Sequence, residues 1–317
     1  MDLSQALTVV KSLPPEEQRE ILDILDRIDE LDAEEGSRLE FMQFVRAMWP
    51  AFIMGAHHQL MAEKFEAIVR GDLKRLIVNM PPRHTKSEFA SYLLPAWFLG
   101  TYPDKKVIQT AHTAELSVGF GRKVRNLVSS EDFNRVFPGV SLAADSKAAG
   151  RWNTNHGGEY FAIGVGGAVT GKGADLFIID DPHSEQEAQM GDPKVFDKVY
   201  EWYTSGPRQR LQPGGAICLV MTRWSQRDLT AQLIDAMNDR EGADEWEVVD
   251  FPAILPDGDP TWPEFWSSEE LGQIKATIPA AKWSAQYQQD PTSDEAAIIK
   301  REWWRSWEHP DPPPCEF

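Results

Sequence analysis

Two short segments bring together side chains suited to phosphate chemistry. The first is Met80-Pro81-Pro82-Arg83-His84-Thr85-Lys86-Ser87, which follows the apolar run KRLIVNM of residues 74–80 and precedes a helical pattern. A strand–loop–helix junction presents backbone N–H groups and a helix N-terminus to an anion. In a phosphate loop a Lys reaches the β/γ-phosphates and a Ser or Thr hydroxyl ligates Mg²⁺. Lys86 and Ser87 supply that pair, with Arg83, His84 and Thr85 completing the loop. The glycines of G-x-x-x-x-G-K-[ST] are absent, and Met80 and Thr85 stand in their places. The second segment is Leu176-Phe177-Ile178-Ile179-Asp180-Asp181, an apolar strand that ends in two carboxylates. In open α/β sheets the ligand lies beyond the carboxyl ends of the strands. Asp180 is therefore a candidate metal-binding acid, and Asp181 a candidate to polarise an attacking water. Either segment alone also fits an ordinary strand-ending turn. Together they point to nucleotide hydrolysis.

These residues need elements to place them. Strands are expected at 74–80, 106–111 (KVIQTA), 160–165, 175–180, 216–221 (AICLVM) and 246–251. Helices are expected at 86–98, 114–128 and 226–237, with further helical stretches near 268–276 and 280–289. Strands that alternate with helices predict an α/β fold with a mostly parallel sheet covered on both faces. Ahead of the sheet, Leu3, Leu7, Val10 and Leu13 share one helical face, Pro14-Pro15 interrupts it, and Glu16 to Leu31 resumes it. This acidic appendage reads either as a solvated helical hairpin or as a partner-docking arm. Helices at 37–50 and 58–70 lead from it into the core. The expected division is an N-terminal helical region (1–54), a phosphate-loop core (55–251), a small lid (252–309) and a linker (310–317).

Composition sets limits. The 317 residues are 42% hydrophobic, and 12 Trp and 15 Phe demand burial, which argues against low-complexity disorder. No apolar run approaches bilayer-spanning length, so no membrane is expected. Two isolated cysteines, Cys218 and Cys315, form neither a disulfide framework nor a metal pattern. The net charge of −18 requires any nucleic-acid contact to rest on a local basic patch.

The chain resembles a known family, the large terminase ATPases of tailed phages, over about residues 55–317. The segments that carry the resemblance are MPPRHTKSEFAS (80–91), VTGKGADLFIIDDPHSE (169–185), GGAICLVMTRWSQRDL (214–229) and AAKWSAQYQQDP (280–291). It implies an additional-strand, RecA-like phosphate-loop NTPase that uses ATP and Mg²⁺ to move double-stranded DNA into a procapsid. Lys86 and Ser87 would be the phosphate-loop Lys and metal hydroxyl, and Arg83 a γ-phosphate contact. Asp180 would bind metal. Asp181 stands where many members have a catalytic Glu, with Glu185 in reserve. Thr222 would be the coupling hydroxyl at a strand end, and Gln59 would read the adenine edge. The adjacent His57 and His58 are expected not to share a helix face, which argues against a metal site there. Arg122, Lys123, Arg125, Arg208, Arg210, Arg223 and Arg227 are the candidate DNA-backbone contacts. The partners implied are a ring of copies, a pentamer on the portal protein, and the small terminase subunit. The setting implied is the host cytoplasm and, transiently, the procapsid, but not the mature virion. The tail HPDPPPCEF is expected to lead toward a nuclease domain that the chain does not contain. The alternatives are a helicase-like DNA-dependent ATPase, which needs a second RecA-like domain, and a catalytically weak assembly or docking subunit.

Overall fold

The computed structural model describes residue 10 and residues 12–146, 148–168, 171–189 and 192–292. The expected helical face at Leu3 and Leu7, and the linker with Cys315, lie outside the described residues.

The helices α1 (Pro15–Leu39), α2 (Phe41–Met48) and α3 (Ala56–Arg70) precede the sheet among the described residues. The strands are β1 (Arg75–Asn79), β2 (Lys106–Ala111), β3 (Arg151–Asn153), β4 (Glu159–Gly164), β5 (Ala174–Asp180), β6 (Leu211–Met221) and β7 (Glu247–Asp250). They form one sheet in the order β3-β4-β2-β5-β6-β1-β7. Every pairing is parallel except that of the edge strand β3 with β4. β6 therefore lies between β1, which leads into the Lys86 loop, and β5, which ends at Asp180. That interposed strand is the additional strand expected from the sequence.

Alternation along the strands divides the core in two. Leu76, Val78, Leu176, Ile178, Cys218 and Val220 face a cluster built with α2, α3 and the helices after β1 and β2. Ile77, Phe177, Ile179, Ile217 and Leu219 face a second cluster with α8 (Lys194–Ser205) and α9 (Leu229–Asp239). Both faces of a parallel sheet are covered, so its strands read as nearly unbroken apolar runs. A third, small cluster of Ala253, Leu271 and Trp283 unites the segment after β7 through α10 (Ser268–Thr277) and α11 (Ala280–Gln286).

The helix expected at 86–98 is present, but it is not a uniform α-helix. It begins as a π-helical turn (Glu88–Leu93) and continues as α4 (Leu94–Thr101). Pro95 explains the change, since it has no N–H to offer the carbonyl of Ser91 and its ring crowds that carbonyl. The ladder widens at this point, and Leu94 N–H reaches back to Phe89. Phe89 is in turn held edge-on by Phe41, whose ring also meets Phe65 and Trp97 at centroid distances of 5.5 and 5.4 Å. The preceding helices thus fasten the phosphate-binding helix to the sheet. The other helices are α5 (Ala114–Val128), α6 (Glu131–Val136) and α7 (Glu185–Gln189). Neither β3 nor α6, α7 and α8 was expected from the sequence.

Phe41 is fully buried at the centre of this aromatic group. Phe41→Ala is expected to cost about 3–5 kcal/mol of unfolding free energy. Urea denaturation checks this, and a loss under about 1 kcal/mol would contradict the assigned packing.

Candidate nucleotide site

The site lies at the carboxyl ends of β1, β5 and β6. Met80 opens the loop and is stitched to the end of β6: its N–H donates to the Met221 carbonyl at 3.0 Å, and the Thr222 hydroxyl donates to its carbonyl at 3.0 Å. The loop then turns without glycine. Arg83 and Thr85 take positive φ values of 62° and 71°. Non-glycine residues held in this region cost of order 1–3 kcal/mol each. The His84 Nδ1–H donates to the Pro82 carbonyl at 2.9 Å and closes the turn.

The two acids meet the two loop residues one to one. Lys86 Nζ lies 3.0 Å from Asp181 Oδ2. Ser87 Oγ donates to Asp180 Oδ1 at 2.9 Å, and Ser91 Oγ to Asp180 Oδ2 at 2.7 Å. Gln109 of β2 steadies Ser91 from below at 2.8 Å. Asp180 is almost wholly buried, and burial above all, then the neighbouring Asp181, raises its carboxyl well above the ordinary range. The hydroxyl and carboxylate oxygens of Ser87 and Asp180 form a hard-donor pair of the kind Mg²⁺ takes. Asp181 has a φ of 41° and ties the site together, since its Oδ1 accepts the Thr222 N–H at 2.8 Å while Oδ2 holds Lys86.

Two cavities flank the loop. One, of about 270 Å³, is lined by Lys86, Ser87, Asp180, Asp181, His112 and Phe120, among others. The other, of about 480 Å³, is walled by Trp49, Phe52 and Ile53 on one side and by Trp262, Phe265 and Trp266 on the other. Arg83, Thr85 and Glu88 line both, so the cavities adjoin across the loop. One is charged and suits phosphates. The other is lined by aromatic rings and suits a planar base.

Several expected site residues stand elsewhere. Gln59 is exposed on α3 and lines neither cavity, while its neighbours His57 and His58 turn inward. The helical period decides this, because the buried face of α3 carries residues 57, 58 and 61; His57 and His58, expected on different faces, lie on one, with ring centroids 3.7 Å apart. Glu185 is exposed, pairs with Lys282 at 2.9 Å and lines neither cavity. Arg223 is no surface cation. It is buried against the fully buried Asp228, with Nε 2.9 Å from Oδ2, so the expected DNA contact from Arg223 is corrected to a structural ion pair. Arg208 and Arg227 are engaged by Asp244 and Asp197. Arg122 and Lys123 are exposed on α5, Arg125 is partly exposed there, and Arg210 is partly buried before β6. The sequence reading missed the aromatic walls, which come from residues 49–53 and 262–266. Their Trp and Phe content was the available signal.

The strand order, with β6 interposed between β1 and β5, is that of an additional-strand, RecA-like α/β fold. In sequence the chain is similar to the curated large terminase subunit of Enterobacteria phage T3, with 22% identity over 222 residues. That match covers 68% of this chain and 36% of the relative, so the chain spans about a third of that protein's length. No protein-family model matches the chain. Among solved structures, the large terminase of bacteriophage HK97 covers 77% of this chain and is covered over 52% of its own, at 13% identity and a TM-score of 0.49. The large terminase ATPase domain of Thermus phage P74-26 gives 18% identity, coverages of 72% and 93%, and a TM-score of 0.44. The ADP complex of a large terminase from another thermophilic bacteriophage gives 11% identity, coverages of 72% and 52%, and a TM-score of 0.45. The resemblance carried by the four sequence segments thus returns in a comparison that covers about two thirds of the chain.

Burial is the main reason that the imidazoles of His57, His84 and His183 are each held down to about 4 from an ordinary value of 6.5. Between those values the unfolded chain binds more protons than the folded one. Their contribution to stability is therefore complete above about pH 6.5 and is lost as the pH falls toward 4. The melting temperature is expected to fall across that window and to fall less in His183→Phe. A flat profile from pH 6.5 to 4 would exclude the buried neutral histidines.

Proposed function

We propose that this chain hydrolyses ATP as the motor part of a large terminase, driving double-stranded DNA into a procapsid. The observation that carries the ATPase reading is the pairing of Lys86 with Asp181 and of Ser87 with Asp180, across the interposed strand β6. The packaging role is supported by the sequence similarity to the T3 large terminase.

The triphosphate lies in the charged cavity and the base between the aromatic walls. Lys86 leaves Asp181 for the β/γ-phosphate oxygens when they arrive, because their charge exceeds that of one carboxylate. The freed Asp181, still oriented by the Thr222 N–H, accepts a proton from the water that attacks the γ-phosphorus in line. Arg83, exposed at the mouth of both cavities, neutralises charge as it moves to the leaving oxygen. Mg²⁺ bound by Ser87 and Asp180 would screen the phosphate oxygens from each other. Residues 55–251 do this chemistry, and residues 49–53 and 262–266 wall the base. DNA is gripped by exposed cations such as Arg122 and Lys123, and copies act as a ring on a portal with the small terminase subunit, in the host cytoplasm. Among the described residues no helix is long and apolar enough to cross a membrane.

Lys86→Ala is expected to lower DNA-stimulated ATP turnover by at least a hundredfold, about 2.7 kcal/mol of transition-state stabilisation. Turnover within twofold of the parent would sink the phosphate-loop assignment. Asp181→Asn should keep ADP binding and lose hydrolysis, whereas Glu185→Gln should leave hydrolysis within about threefold. The reverse pattern in phosphate-release assays would move the base to Glu185.

A further inference from the structure

A phosphate loop without glycine needs something else to hold its shape. Thr85 stands where G-x-x-x-x-G-K-[ST] has its second Gly. A Gly enters positive φ freely. Thr85, at φ 71°, is β-branched and enters it against steric resistance. Such a conformation persists only where the surroundings over-determine it.

The surroundings of Thr85 contain one side chain fixed in every respect. His58 of α3 is completely buried. Its Nδ1 accepts the Gly55 N–H at 2.8 Å, which puts its proton on Nε2. That Nε2–H donates to Thr85 Oγ1 at 2.7 Å. The Thr85 hydroxyl sends its own proton to the His84 carbonyl. Phe52, Phe89 and Trp262 pack on the imidazole at centroid distances of 4.7, 5.0 and 4.9 Å. One tautomer and one orientation remain, and both end at Thr85.

We infer that His58 is a positioning residue that locks Thr85 in its left-handed turn, and so does for this loop what a missing Cβ does for a glycine. His58 lines neither cavity and acts only through Thr85. Thr85 directly precedes Lys86, so a Thr85 that relaxed to negative φ would swing the Lys86 N–H and side chain away from the phosphates. Trp262, which packs on His58, also walls the aromatic cavity. The clamp is therefore shared by α3 and the segment after β7. The inference rests on the nucleotide-binding reading.

The experiment is calorimetric titration of the intact chain with ADP and Mg²⁺, with melting curves alongside. His58→Phe keeps a ring but has no N–H, and is expected to weaken ADP binding at least tenfold, about 1.4 kcal/mol. Thr85→Ala keeps the Cβ and loses the hydroxyl, and should show the same loss. Thr85→Gly removes the need for a clamp. It should bind at least tenfold more tightly than Thr85→Ala, and it should recover most of the loss when added to His58→Phe. His58→Gln, whose amide still donates, should fall between. A merely structural role for His58 would not be relieved by a glycine at position 85. A defect that persists in the double variant overturns the inference, as does unchanged binding in His58→Phe. Should His58→Phe melt too early to titrate, Thr85→Ala and Thr85→Gly decide alone, and equal affinities overturn the clamp. Lys86→Ala separates the two readings. If it abolishes binding while the His58 and Thr85 variants do not alter it, only the clamp fails. If the parent chain binds no ADP, the nucleotide reading fails and takes the clamp with it.

Discussion

A carboxylate with almost no access to water, Asp180, is the constraint around which the site is arranged. A buried carboxylate is tolerated only if its oxygens are satisfied. Ser87 serves one oxygen and Ser91 the other, one from the end of the phosphate loop and one from the π-helical turn that follows it. Those two bonds fix the loop and its helix to β5, although β6 separates β5 from the strand that leads into the loop. Pro95 belongs to the same arrangement, since the widened turn it imposes carries both Ser91 and Phe89. Ser91 then faces the acid while Phe89 faces the aromatic group of α2 and α3.

A second polar chain leaves the site in the opposite direction. Asp181 accepts the Thr222 N–H. The next residue, Arg223, donates its N–H to Gln289 Oε1 at 3.2 Å, and Gln289 stands at a positive φ of 56° beyond α11. Arg223 is held by Asp228, which also accepts the N–H groups of Trp224 and Ser225 and caps α9 through the Ala231 N–H. The end of β6 thus connects the acid at the cavity, the helix after it, and the small helical cluster after β7. Buried networks of this kind are stiff because each member would be costly to leave unpaired.

Much of this was legible in the sequence. β2 and α5 lie at the expected bounds, and β1, β5 and the buried part of β6 lie within a residue of theirs. Short apolar runs between turn residues leave little else for a parallel strand to be. The acid pair at the end of β5 and the Lys-Ser pair after β1 were visible as strand-end chemistry. The helix expected at 86–98 is present, and the π-helical turn before Pro95 is a detail the apolar pattern did not reveal. The helix α8 was legible but not read, since its buried residues Phe196, Val199 and Tyr203 keep the i, i+3, i+7 spacing of one helical face.

The sequence by itself determined which side chains have the types suited to phosphate chemistry, and that a mostly parallel sheet would carry them. Only the tertiary structure decided which of them meet. It turned Gln59 to the outside and His58 to the inside, a matter of helix rotation that a single position does not reveal. It took Arg223 from the surface by placing Asp228 beside it. It also gave a glycine-free loop a left-handed turn that local preference opposes. That conformation depends on a donor 27 residues away in the chain, brought to Thr85 by the packing of α3. Local sequence fixes preferences of about 1 kcal/mol per residue, whereas the burial of α3 and its aromatic neighbours is collective and overrides them.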